Sequence, residues 1–473
     1  MLHVHSWKKV HLVGIGGINM SAVAKLLLNA GAKVTGSDLV ASDMIEDLQK
    51  KGAIIKIGPH SQENVPLDCD AVIHTSAAPD TNPERIAAKN RNLPDITNFE
   101  WMGQWFLDKR VALVTGTHGK STTLALLGEM CRVGGLDPTV VLGSKVPGWP
   151  DGNLLLGKSD LVLIEGDEYA KHFLEFHPEA LIINNIELDH TDVYATVDDV
   201  RKTFERLLHQ VKSGAAIVVN GEDPQIEKAI KPLIATHQLE VVRFGKGSAA
   251  VRPRPYEAMV EMRNSDGHMI VSIDHANNQL LLESLLMGEF NGMNIAAAAL
   301  LASKLGVNDE NIKQAVKDFK GIWRRMELLG MHNGVPVYSD YGHHPTAVCA
   351  TLKGMRTTFP GKRIVLCFQP HHKNRTKHLF DQFVSCFNET DILVLCEIYD
   401  VPGRSADKDS DVTSNDLLDA ISKSTDQKNL KQSLYAPDPA QAVDMTLKLL
   451  QPNDVCIFMG AGDIDEAVRK VVA

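Results

Sequence analysis

The segment Val-Thr-Gly-Thr-His-Gly-Lys-Ser-Thr-Thr at 114–123 combines residue types suited to holding a triphosphate. It follows an apolar run and opens a helical stretch, TTLALLGEMCRVGG. Gly116 and Gly119 allow a tight turn that aims backbone N–H groups inward, and the start of a helix favours an anion. Lys120 is placed to reach terminal phosphates, and the Ser121 hydroxyl to ligate Mg²⁺. Gly116, Thr117, His118, Gly119, Lys120, Ser121 and Thr122 are therefore the expected nucleotide contacts. Val114 stands where the longer phosphate-loop pattern has its first glycine, so this loop has the shorter form GxxGK[ST]T. The device is shared by kinases, ATPases and ligases and does not choose among them.

Two acidic segments also follow apolar runs. They are Leu-Val-Leu-Ile-Glu-Gly-Asp-Glu-Tyr at 161–169 and Asn-Asn-Ile-Glu-Leu-Asp-His-Thr-Asp at 184–192. If their strands flank strand 111–116, their carboxyl ends converge on the loop. Glu168 and His190 then become candidate ligands for a second Mg²⁺. A further glycine turn, Gly14-Ile15-Gly16-Gly17-Ile18-Asn19, lies near the start, and Ser37-Asp38 ends the next apolar run. The dinucleotide pattern GxGxxG fails at Asn19, so a nucleoside diphosphate fits there as well as NAD does.

These segments need elements to hold them. Apolar strands at 10–15, 33–38, 71–76, 111–116, 161–166, 180–185, 215–220, 363–368, 392–397 and 456–461 alternate with helical stretches. Such alternation predicts an α/β protein with parallel sheets and ligands at the strands' carboxyl ends. At 473 residues the chain calls for several domains. The pattern restarts suggest 1–108, 109–322 and 323–473. Segment 250–286 reads instead as short antiparallel strands joined by Asn-Ser-Asp-Gly and Ala-Asn-Asn turns, added to the central domain.

The net charge of −10 argues against a general nucleic-acid binder. The seven cysteines form no CxxC pair, and Cys367, Cys396 and Cys456 sit in apolar runs, as buried thiols of a reducing compartment do. No run reaches the roughly 18–20 apolar residues of a membrane span, and the N-terminus lacks a cleavable signal pattern. A cytoplasmic protein, monomer or homodimer, is expected, without nucleic-acid or membrane partners.

GIGGxxMS, TGTHGKST, EGDEY, NNIELDH, FNGMN, RRME, SDYGHHPT and FQPHHKNRT occur in that order over nearly the whole chain. The set resembles the Mur ligase family. The resemblance implies a Rossmann-like first domain for a UDP-sugar, a central ATP-binding parallel sheet, and a Rossmann-like C-terminal domain. It implies an ATP-dependent, ADP-forming carbon–nitrogen ligase of peptidoglycan precursor synthesis that uses Mg²⁺. SDYGHHPT and FQPH favour the members that join L-alanine to UDP-N-acetylmuramate. EGDEY and NNIELDH also fit those that attach a recycled L-alanyl-γ-D-glutamyl-meso-diaminopimelate tripeptide.

By motif position the resemblance places Asn291 and Asn294 at the adenine, Arg325 at an ATP phosphate and Asp340 at the ribose. Tyr341, His343, His371 and Arg375 would surround the amino acid. Gly16, Gly17, Ser37, Asp38, Thr75 and Ser76 would face the UDP. Lys120, His343 and Arg375 are the residues expected to carry catalysis. Arg375 would grip the acceptor carboxylate, and His343 and His371 would orient the amine or take its proton. The stretch Lys-Gly-Ile-Trp-Arg-Arg at 320–325 is the expected hinge. Asn19, Phe290 and His372 depart from the family's usual glycine, histidine and arginine, and His372 leaves the acceptor's identity open. A nicotinamide-dependent oxidoreductase would leave the phosphate loop unexplained, and an ATPase switch without ligation is the other alternative.

Overall fold

A computed structural model describes residues 3–190, 193–247, 255–265, 268–400, 412–425 and 428–472. The chain divides into two compact units. One comprises Met1–Ile186, Val200–Phe244 and Ala297–Ala315; the other comprises Glu187–Asp199, Gly245–Ala296 and Val316–Ala473.

The first unit opens with five parallel strands, β1 (Lys9–Val13), β2 (Lys33–Asp38), β3 (Ile54–Ile57), β4 (Ala71–His74) and β5 (Asp95–Thr97), in the order β3-β2-β1-β4-β5. The order reverses beside β1, which places a crevice at its carboxyl end, where the glycine turn begins. Helix α1 (Ile18–Asn29) follows that turn, and α2 (Pro83–Asn90) follows β4. Proline at the first turn and the Asn82 side chain accepting the Glu84 N–H start α2 cleanly.

The same unit holds β6 (Arg110–Thr115), β7 (Thr139–Val141), β8 (Leu154–Leu155), β9 (Leu161–Gly166), β10 (Ala180–Ile183), β11 (Ala216–Asn220) and β12 (Glu240–Lys246). They lie in the order β12-β11-β10-β6-β9-β7-β8, parallel except for the β7–β8 pair. Strand β6 is buried on both faces between β10 and β9, as its unbroken apolar run demands. Helix α3 (Lys120–Val133) leaves its carboxyl end after the glycine loop.

The second unit contains an antiparallel meander, β13 (Ala258–Ser265), β14 (His268–His275) and β15 (Asn278–Ser284). The β14–β15 hairpin turns on Ala276 and Asn277, both left-handed (φ 51° and 64°), as a two-residue primed turn requires. Of the expected Asn-Ser-Asp-Gly turn, the last two residues lie outside the described residues, as does the start of segment 250–286. The unit's main sheet comprises β16 (Glu327–His332), β17 (Val335–Asp340), β18 (Ile364–Phe368), β19 (Ile392–Cys396), β20 (Gln432–Ala436) and β21 (Val455–Met459). Its order is β16-β17-β21-β18-β19-β20, with only β16 antiparallel. Helix α4 (Pro345–Thr358) packs on it through Val348, Leu352 and Met355.

The α/β class, the Rossmann-like end sheets and the parallel central sheet with its antiparallel addition are all present. Cys367, Cys396 and Cys456 are buried in the last sheet. No helix among the described residues is long and apolar enough to cross a membrane.

Candidate active site

Strand β6 delivers the chain to the loop, and the Thr115 hydroxyl ties its end to the Gly166 carbonyl at 2.7 Å. Gly116 (φ 133°) and Gly119 (φ 80°) adopt backbone angles that side chains resist. Space adds a second constraint at Gly116, where a Cβ would lie 3.0 Å from the Asn185 nitrogen. Asn184 and Asn185, just past β10, hold the loop. Asn185 accepts from the His118 N–H through Oδ1 at 2.7 Å and from the Thr117 N–H through its carbonyl at 3.1 Å. Asn184 Nδ2 donates to Thr123 Oγ1 at 3.0 Å. The first N–H with an acceptor in the helix is that of Thr123, which bonds to the Gly119 carbonyl. The N–H groups of Lys120, Ser121 and Thr122 precede it and so form the helix's anion-facing end.

Lys120 Nζ donates to the Gly116 carbonyl and to Glu168 Oε2, both at 2.8 Å. Burial opposes the lysine charge, but the carboxylates of Glu168, Asp167 and Glu165 outweigh it and hold the ammonium above its ordinary 10.5. Ser121 Oγ donates to Glu165 Oε1 at 2.9 Å, and the Gly143 N–H donates to Glu165 Oε2 at 2.8 Å. Burial pushes the Glu165 carboxyl up, against the pull of Lys120. Sequence reading had passed over Glu165 in favour of Glu168. The available signal was its place on β9 itself, paired with Val114 of β6. A serine hydroxyl at a helix head and a half-buried carboxylate facing it from β9 are hard oxygen donors, a set that fits Mg²⁺.

The first glycine turn is braced from within. Asp38 Oδ2 accepts from the Gly16 N–H at 2.8 Å, and a Cβ on Gly16 would lie 2.9 Å from that oxygen. Gly17 begins α1 as its N-cap. Thr75 packs against Gly14, and Ser76 is exposed beyond β4. Ser37 departs from the expectation that its side chain faces a ligand. It is fully buried and donates to Glu84 Oε2 at 2.6 Å. His11, His60 and Asn64 also bond Glu84. Burial would raise the Glu84 carboxyl, but the bonds from His11, Ser37 and Asn64 bring it down to about 2. Ser37 thus anchors the turn, its carbonyl taking the N–H groups of Gly14 and Ile15.

In the second unit, Arg324 and Met326 are left-handed (φ 56° and 45°), a costly backbone for such residues. Asp340 fixes this segment. One oxygen accepts from the Met326 N–H at 2.8 Å and the other from Gly342 at 2.7 Å. Burial raises the Asp340 carboxyl, and Arg325 counters it. The Arg325 guanidinium lies 5.1 Å from the Tyr341 ring centre. Asn291 and Asn294 are buried and bonded to each other at 3.2 Å. Phe290 packs against the core of the main sheet and α4.

Tyr341, His343, His371 and Arg375 come together in this unit. His343 packs edge-on to Tyr341 (5.3 Å) and tilted to His371 (5.6 Å). Burial, then the Arg375 charge, drives the His343 imidazole well below its ordinary 6.5. Arg375 is bound to Asp189, a partner that sequence reading did not supply. Burial would raise Asp189, but the Arg375 charge holds it well below 3.8. His344 is the N-cap of α4, its Nδ1 accepting the Thr346 N–H at 3.3 Å. His190 is left-handed (φ 53°) and donates its N–H to Asp189 at 2.7 Å. Thr191 and Asp192 lie outside the described residues.

A glycine loop with lysine and serine facing carboxylates, set at the end of a parallel strand, defines a nucleoside-triphosphate-using α/β enzyme. Residues 9–110 match the Mur ligase family catalytic domain, 114–302 the Mur ligase middle domain, and 324–462 the Mur ligase glutamate ligase domain. The UDP-N-acetylmuramate–L-alanine ligases of Clostridium acetobutylicum and Aquifex aeolicus are each 33% identical, over 97% of this chain and 96% of theirs. The crystal structure of the UDP-N-acetylmuramate–alanine ligase of Thermotoga maritima superposes with a TM-score of 0.80 at 27% identity, covering 98% of both chains. A murein peptide ligase from Psychrobacter arcticus shares the fold at 21% identity and a TM-score of 0.70, over 98% of this chain and all of that one. The chain belongs to the Mur ligase family, and is an ATP-dependent, ADP-forming amide ligase.

Proposed function

We propose that the protein joins L-alanine to UDP-N-acetylmuramate, using ATP and Mg²⁺, in peptidoglycan precursor synthesis. The observation that carries this is the pairing of two groups in one chain. One is a triphosphate loop headed by Lys120 and Ser121; the other is a cluster of Tyr341, His343, His371 and Arg375, whose residue types suit a free amino acid.

A carboxylate is a poor electrophile, and amide formation in water is uphill. In this reading the substrate carboxylate attacks the γ-phosphorus of ATP, giving an acyl-phosphate and ADP. Lys120, the loop N–H groups and Arg325 stabilise charge on the phosphoryl oxygens. Ser121, Glu168 and His190 are the proposed holders of Mg²⁺, with Glu165 added on its contact with Ser121; the ion would supply charge neutralisation at the phosphates. The amine then attacks the acyl carbon and phosphate leaves. His343, beside His371 in the same cluster, is the proposed group that orients the amine or takes the proton the ammonium must lose.

Segments 1–108, 109–322 and 323–473 are the proposed UDP-sugar, ATP and amino-acid domains. Gly16, Gly17, Asp38, Thr75 and Ser76 would meet the diphosphate, with Ser37 beneath them. Asn291, Asn294 and Asp340 would meet adenosine. The test is a panel of amino acids and the recycled tripeptide, each with ATP and UDP-N-acetylmuramate, read by product mass. L-alanine is expected as the preferred acceptor. A preference for the tripeptide, or ATP hydrolysis without a conjugate, would replace this reading.

A further inference from the structure

Tyr399 lies just beyond β19 and is pinned on both sides of its backbone. Its N–H donates to the Pro370 carbonyl and its carbonyl accepts from the His372 N–H, both at 2.8 Å. Its ring stacks on His371, with centres 5.7 Å apart and planes 19° from parallel. Gly462 packs against both Gln369 and Tyr399: a Cβ there would come closest to Gln369 Oε1 and stand 2.6 Å from Tyr399 Cγ and 2.8 Å from its Cβ. Gly462 is held in turn, since its carbonyl accepts from Arg324 Nη2 at 3.1 Å. A side chain at 462 would therefore have to displace Gln369 or Tyr399.

His371 Nδ1 is 3.2 Å from Arg375 Nη1. An arginine only donates, so Nδ1 must be the accepting nitrogen and the proton sits on Nε2. A ring turned away from this pose loses that bond and leaves one edge of the guanidinium unsupported.

We propose that Tyr399, packed against Gly462, is a positioning residue of the acceptor site: it fixes the His371 ring so that His371 and Arg375 together present one geometry to the incoming amino acid. This rests on the ligase reading above. The ring, not the phenol, does the work.

Tyr399→Phe is expected to leave the KM for L-alanine within about twofold, because the stack survives. Tyr399→Ala and Tyr399→Leu are expected to raise it by about threefold to tenfold or more, which is what one lost aromatic stack is worth. The KM values for ATP and UDP-N-acetylmuramate should stay put. Independently of turnover, the Hε1 proton of His371, identified by its loss in His371→Gln, should move downfield when Tyr399 becomes alanine or leucine and stay in place for phenylalanine. An unchanged acceptor KM with an unmoved resonance overturns the proposal, as does a phenylalanine variant as impaired as the alanine one. A wild-type protein that joins no amino acid at all would overturn the ligase reading itself, and the His371 resonance separates that result from failure of the ring clamp.

Discussion

Arg375 donates twice to a single oxygen of Asp189, from Nε at 3.2 Å and from Nη2 at 2.9 Å, across 186 residues of sequence. Its remaining nitrogen faces His371. The guanidinium proposed to receive the acceptor's carboxylate therefore already carries one from the protein. An incoming carboxylate takes the remaining N–H edge or exchanges with Asp189.

Arg375→Ala separates the two roles. It leaves Asp189 buried without its cation, which costs about 3–5 kcal/mol when a buried pair loses one member. It should also raise the KM for L-alanine by at least about tenfold, the loss of one charge-assisted contact. The double variant Arg375→Ala/Asp189→Ala should regain part of the melting temperature and none of the acceptor affinity. Recovery of both would make Arg375 purely structural.

Lys120→Ala should abolish ADP release with UDP-N-acetylmuramate and L-alanine present, by about a hundredfold or more. The measurement is a coupled ADP assay alongside thermal melting, because Glu168 loses its ion partner in the same variant. Full ADP release from a folded variant would remove the loop from the mechanism.

Glu165→Gln should raise the Mg²⁺ concentration giving half-maximal rate by about tenfold, a typical loss on perturbing a metal's surroundings. Its single amide oxygen can still accept the Gly143 N–H while its NH2 donates to the Ser121 hydroxyl, so stability should change little. A Mg²⁺ titration of rate at saturating ATP is the readout. The same Mg²⁺ dependence as wild type would return Glu165 to a purely structural place.

Glu84 contributes to the acid limb of the stability. Its carboxyl falls from an ordinary 4.5 to about 2 in the fold. A depressed carboxyl stabilises above its unfolded value and loses that contribution as pH falls through its folded one. The gap corresponds to about 3 kcal/mol at 1.36 kcal/mol per pH unit. Melting temperature should therefore decline between about pH 4.5 and 2, and Glu84→Gln should be less stable at pH 7 with a shallower decline in that range. An unaltered acid limb in the variant would assign the acid loss elsewhere.

Much of this was open to sequence reading, for identifiable reasons. Strands 33–38 and 161–166 were bounded to the residue because apolar runs end there on turn residues. Strands Asp95–Thr97 and Glu327–His332 went unseen. The first sits in a turn-rich stretch; the second is an edge strand, half-exposed, with no apolar run to mark it. Ser37 shows the other kind of miss. Its position at the end of β2 was correct, but a strand's alternation does not say which face a neighbouring helix covers, and α2 brings Glu84 onto it.

The chain's linear order determined the glycine loop, the strands that carry it, and the family resemblance, because these depend on short-range periodicity and on backbone angles that only certain residues tolerate. Tertiary structure alone decided that Ser121 meets Glu165, that Lys120 meets Glu168, that Asp189 holds Arg375, and that Tyr399 stacks on His371. Those partners are set by sheet register and by the direction of side chains across long separations. A buried charge takes the nearest opposite charge the fold brings to it, whatever its distance along the chain.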